Sequence, residues 1–112
     1  MQNGVNIYQT LEKWWGYKEF RAGQREVIER VLEGRDTLAL MPTGAGKSLL
    51  YQVPTMAREG ICVVVTPLVA LMKDQVDRLR QMGISATAIH SGMSYSQIDI
   101  ALDNCVYGDM KF

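Results

Sequence analysis

The sequence predicts an α/β fold: a parallel sheet with flanking helices, preceded by two N-terminal helices. Three observations carry that expectation. Residues 61–65 read Ile-Cys-Val-Val-Val with no polar alternation, the pattern of a strand covered on both faces. A glycine-rich turn, Met41-Pro42-Thr43-Gly44-Ala45-Gly46-Lys47-Ser48, separates the apolar run Thr37-Leu38-Ala39-Leu40 from a helical pattern. Beyond residue 36, apolar runs and helix-spaced segments alternate, giving the order βαβαβα.

The spacing predicts a first helix over 6–15, with Ile7, Leu11, Trp14 and Trp15 on its apolar side and Gly16 ending it. Both tryptophans read as core rather than as base-stacking platforms. A second helix is expected over 21–33. Val27, Ile28, Val31 and Leu32 form its stripe, and Gly34 is placed as its C-terminal cap. Strand 37–41, the turn and a helix from about 47 follow. Pro54, lacking an N–H, is expected to kink or restart that helix. After strand 61–65, Thr66 is positioned as an N-cap with Pro67 in the first helical position. Leu68, Met72, Val76, Leu79 and Met82 keep helical spacing as far as Gly83. A third strand over 85–89 and a helix over about 95–104 complete the pattern.

Composition narrows the function classes. At 112 residues and 47% apolar content, the chain reads as one small globular domain or part of a larger one. No run of about eighteen apolar residues is present, so no membrane span is expected. The first six residues lack a basic segment followed by an apolar one, which leads to the expectation of a cytoplasmic protein, nucleoid-associated if bacterial. Twelve basic and twelve acidic residues balance to zero net charge. A domain that grips nucleic acid alone usually carries a basic excess. Any nucleic-acid site is therefore expected to be local, or shared with other polypeptide. Cys62 and Cys105 lie far apart, and Cys62 reads as a small core residue rather than a metal ligand.

The glycine turn carries the strongest chemistry. Gly44 and Gly46 permit the backbone to curl so that several N–H groups converge on one concavity. The following helix adds the positive end of its dipole. Lys47 supplies a full charge to the outer phosphates of a nucleoside triphosphate. The Ser48 hydroxyl is placed to ligate the Mg2+ that accompanies it. The competing reading is a glycine turn with an unrelated lysine.

Three blocks extend this reading: Trp15-Gly-Tyr-Lys-Glu-Phe-Arg-Ala-Gly-Gln24, the 41–54 stretch ending Tyr51-Gln52-Val53-Pro54, and Val63-Val-Val-Thr-Pro-Leu-Val-Ala-Leu-Met-Lys-Asp-Gln-Val-Asp-Arg-Leu79. In order and spacing they closely resemble motifs 0, I and Ia of the RecQ family of superfamily 2 DNA helicases, over about residues 7–104. The resemblance implies an incomplete RecA-like P-loop NTPase domain and an ATP-dependent 3′-to-5′ DNA-unwinding parent acting in replication, recombination or repair. It matches Tyr17 to the residue stacking on adenine, and Arg21 and Gln24 to the pair that borders and reads the base. An amide suits that role because it offers both donor and acceptor. Thr43, Gly44, Ala45, Gly46, Lys47 and Ser48 match the phosphate and Mg2+ cradle, with Lys47 the catalytic cation. Thr66, Pro67, Leu68 and Lys73 lie where such helicases meet the backbone of single-stranded DNA. His90 and Ser91 follow the third expected strand at the same edge.

Plainer readings stand beside these. Tyr17 packs under the next helix, Gln24 is a solvated helix residue, Lys73 belongs to an ordinary charged face, and His90 is a loop residue. The family's Asp-Glu-x-His motif has no counterpart, since no Asp-Glu pair occurs in the chain. The resemblance therefore implies that residues 1–112 are the N-terminal portion of the first RecA-like domain, ending before that motif. Such a portion is expected to bind ATP with Mg2+ without efficient hydrolysis, and to self-associate through exposed sheet edges. Two other classes compete: a non-catalytic nucleotide-binding or interaction module, and a small P-loop kinase.

Overall fold

The computed structural model describes residues 6–41 and 46–112. Among them are five helices: α1 (Ile7–Trp15), α2 (Gln24–Leu32), α3 (Leu49–Ala57), α4 (Val69–Gln81) and α5 (Tyr95–Tyr107). The expected parallel sheet is not there. The described residues contain no strand, and the stretches expected as strands over 37–41, 61–65 and 85–89 are non-helical segments without a ladder. The chain divides after Glu59 into two compact units.

In the first unit, the helices carry the order. The Asn6 side-chain oxygen accepts the N–H groups of Tyr8 at 3.0 Å and Gln9 at 3.1 Å, closing the first turn of α1. Gly16, at φ +76°, stops that helix as expected. Helix α2 begins at Gln24 rather than at residue 21, because Gly23 takes a left-handed φ of +85° and leaves Arg21 and Ala22 in a turn. At its far end Gly34 N–H meets the Val31 carbonyl and Arg35 N–H the Arg30 carbonyl, at 3.0 and 3.2 Å. Helix α3 runs through Pro54 without restarting. Pro54 removes one donor, but the Thr55 hydroxyl donates to the Tyr51 carbonyl at 2.7 Å in the same turn. The proline and its neighbours Val53 and Thr55 are buried, so packing holds the helix together there.

Helix α3 packs against both α1 and α2. Ile7, Leu11, Ile28, Leu32, Leu50 and Val53 form the core, with Trp15, Phe20, Val27, Ala39, Met41 and Leu49 packed onto it. The extended segment leading to the glycine turn therefore alternates. Ala39 and Met41 face the core, whereas Leu38 and Leu40 remain 86% and 87% exposed. Among the described residues of this unit no other segment forms a ladder with it.

The second unit has two extended segments, and the end of the chain bonds to both. Cys62 N–H donates to the Lys111 carbonyl at 2.8 Å, and Thr87 N–H donates to the Phe112 carbonyl at 3.0 Å. The N–H groups of Lys111 and Phe112 both reach the Ser85 carbonyl, at 3.0 and 3.3 Å. The pairing is irregular, and no strand is present among the described residues. Val63 and Val65 stay 81% and 92% exposed, contrary to the expectation that this run is covered on both faces. Helix α4 starts at Val69, with Leu68 rather than Thr66 as its N-cap. The Thr66 hydroxyl instead accepts the Leu68 N–H at 3.3 Å, one turn ahead of the helix. Helix α5 is three residues longer than expected. A reciprocal cap starts it: Ser94 Oγ accepts Gln97 N–H, and Gln97 Oε1 accepts Ser94 N–H. Among the described residues no helix is long and apolar enough to cross a membrane.

Candidate functional site

The described residues of the expected nucleotide set, Tyr17, Arg21, Gln24, Gly46, Lys47 and Ser48, belong to the first unit. Tyr17 stands directly after the glycine that ends α1 and is 57% exposed, the condition for stacking on a flat ligand. Arg21 is exposed one turn before α2. Gln24, the first residue of α2, is only 1% exposed. It is not the solvated helix residue of the plainer reading. Its Oε1 accepts the Arg21 N–H at 2.8 Å, and its Nε2 donates to the Gly46 carbonyl at 3.1 Å. The segment expected to border the base and the end of the glycine turn are thereby bonded to each other.

Thr43, Gly44 and Ala45 lie outside the described residues. From Gly46 onward the turn is defined. Gly46 takes φ +75°, open to glycine at little cost, and a Cβ there would sit 2.5 Å from Gln24 Nε2. The left-handed φ favours glycine at position 46, and a side chain there would displace the Gln24 carboxamide from its bond to the Gly46 carbonyl. Lys47 is exposed and forms no ion pair with any described residue. Ser48 is the N-cap of α3, but its hydroxyl makes no capping bond. The first turn of α3 carries no acidic residue that would oppose an anion at its positive end. A glycine at a left-handed φ, an ammonium group without an ion pair among the described residues and a hydroxyl not used in capping, together at a helix start, are residue types that could hold a triphosphate with Mg2+.

The residues expected to meet DNA lie in the second unit. Pro67, Leu68 and Lys73 are exposed, and Thr66 is half-buried. His90 is half-buried, and its Nδ1 accepts the Gly92 N–H at 3.2 Å, so the ring caps its own turn. Ser91 is exposed beside it. Sequence reasoning missed the bond between Gln24 and Gly46. Its signal was available: Gln24 sits on the same side of α2 as Ile28, i and i+4, and so on the buried face.

The family model for DEAD/DEAH box helicases matches residues 21–107, and the chain belongs to that family. Its relatives are more particular. The chain is 43% identical over 102 residues to the ATP-dependent DNA helicase RecQ of Haemophilus influenzae, covering 91% of this chain and 16% of the relative. It is 45% identical over 102 residues to RecQ of Bacillus subtilis, covering 90% and 17%. It is 45% identical over 94 residues to RecQ of Synechocystis, covering 84% and 20%. The RecQ resemblance carried by the three motif blocks is borne out. The chain spans between a sixth and a fifth of the length of these relatives.

Proposed function

We propose that residues 1–112 are the ATP-binding portion of an ATP-dependent 3′-to-5′ DNA helicase of the RecQ kind. The observation that carries this reading is the turn at 46–48, with a glycine at a left-handed φ, a Lys47 ammonium that forms no ion pair among the described residues and a Ser48 hydroxyl unused in capping. In the site so read, Tyr17 stacks on adenine, and Arg21 and Gln24 border it. Thr43 through Ser48 wrap the phosphates, and Ser48 ligates Mg2+. Lys47 neutralises charge on the outer phosphates. Thr66, Pro67, Leu68, Lys73, His90 and Ser91 form the DNA-facing set of the second unit. Phosphoryl transfer depends on positioning and electrostatic stabilisation, and the chain holds no Asp-Glu pair to position water or a second magnesium ligand. The 112-residue chain is therefore expected to bind Mg-ATP with negligible turnover. Calorimetric titration with Mg-ATP and a phosphate-release assay on the same sample check this. Turnover at the rate of an intact helicase would contradict it.

The same chain self-associates through its extended segments. Leu38, Leu40, Val63 and Val65 present bare apolar side chains on backbone that lacks a ladder. Sedimentation velocity across a hundredfold range of concentration is expected to show a rising weight-average mass, reduced in a Val63→Lys, Val65→Lys chain. A single monomer species at every concentration would rule self-association out.

A further inference from the structure

The bond from Gln24 to Gly46 has a geometric consequence for the residue after Gly46. A peptide unit is planar and trans, so the carbonyl of one residue and the N–H of the next point in opposite directions. No cis peptide occurs among the described residues. Whatever holds the Gly46 carbonyl therefore also aims the Lys47 N–H. Among the described residues two donors hold that carbonyl: Gln24 Nε2 at 3.1 Å and Leu49 N–H at 3.3 Å. The Leu49 bond belongs to the start of α3 and moves with it. The Gln24 bond comes from a different helix, 22 residues earlier, and is anchored at its other end by Arg21 N–H on Oε1. Gln24 is almost fully buried, so its carboxamide is held by packing as well as by these bonds.

We propose that Gln24 is a positioning residue for the phosphate donors of the 46–48 turn. By fixing the Gly46–Lys47 peptide plane, its Nε2 sets the direction of the Lys47 N–H, and so sets affinity for the triphosphate group whether or not a base is attached. This rests on the nucleotide-site reading of that turn, but assigns Gln24 a task that adenine recognition does not include. A side chain that served only the base would leave a ligand without a base untouched.

The test uses inorganic tripolyphosphate with Mg2+ beside Mg-ATP, on the parent chain and on Gln24→Met, which keeps length and bulk but removes the donor. Tripolyphosphate affinity is expected to fall about three- to tenfold in Gln24→Met, the range for one hydrogen bond. The backbone amide resonance of Lys47 is expected to move in the ligand-free variant, while those of α1 stay in place. Equal tripolyphosphate affinity in the two chains, with only ATP weakened, would overturn the proposal. Should Gln24→Met not fold, the parent decides alone. Added tripolyphosphate is expected to shift the Gln24 side-chain amide resonances, and unmoved resonances on saturation would overturn it. A parent chain that binds neither ligand defeats the nucleotide-site reading itself. A parent that binds both, with a variant that holds tripolyphosphate equally well, defeats only the positioning role.

Discussion

Replacing Lys47 by alanine is expected to weaken Mg-ATP binding about tenfold to a hundredfold while leaving the helices intact. The magnitude is that of a charge-assisted hydrogen bond to a phosphate group, roughly 1.5–3 kcal/mol. Exposure of Lys47 places the effect toward the lower end, because solvent and salt screen the ammonium group. The fold is expected to survive because the side chain forms no ion pair among the described residues and precedes α3 rather than lying within it. Titration calorimetry gives the affinity, and circular dichroism at 222 nm gives the helix content. The loss is also expected to shrink as salt is raised, which a packing effect would not do. Equal affinity in mutant and parent would remove Lys47 from the site.

Replacing Leu11 by alanine is expected to cost the first unit about 2–5 kcal/mol, the range for a large-to-small change in a packed core. Leu11 is completely buried and belongs to the cluster that seats α3 against α1. A small domain holds only about 5–15 kcal/mol in total, so this one change removes a large share of its stability. The cavity also loosens the support of α3, whose N-terminus carries Ser48. Nucleotide affinity is therefore expected to fall together with the urea midpoint. Glu12→Ala, one residue on and exposed, is the control and is expected to stay within about 0.5 kcal/mol of the parent. Matching midpoints for Leu11→Ala and Glu12→Ala would contradict the packing described for α1.

These two expectations rest on the parts of the chain that the sequence made most legible. Helices are local, and their signals lie within a turn or two of the residues they govern. Gly16 ends α1 and Gly34 follows the end of α2, where the residue types predict, whereas Asn6, expected inside the first helix, is its N-cap. Ile28 and Leu32 are buried because they share the stripe that spacing assigns them. The departures are local as well. Gly23 delays α2 by its positive φ, and Thr66 closes a turn before α4 instead of starting it.

The sheet was misread for the opposite reason. An apolar run says that a segment prefers burial, but a strand exists only where a neighbour accepts its hydrogen bonds. Ile61–Val65 has the composition of a covered strand, yet only Cys62 among its described backbone donors reaches another extended segment, at Lys111. The run keeps Val63 and Val65 bare. The alternation at Leu38, Ala39, Leu40 and Met41 shows the same limit. One face found the helical core and the other found no cover among the described residues. The candidate site was legible in residue type, through Gly46, Lys47 and Ser48. What the sequence did not reveal was how the pieces are tied together. The contact of Gln24 with Gly46 spans 22 positions and depends on the packing of α2 against α3.

The most direct test of the nucleotide site is a titration of the isotopically labelled chain with Mg-ATP, followed through backbone amide resonances. The account predicts saturable shifts concentrated at Gly46, Lys47, Ser48 and Leu49, with smaller ones at Tyr17 and Arg21. Saturation with those resonances unmoved, or with shifts confined to α5, would contradict it.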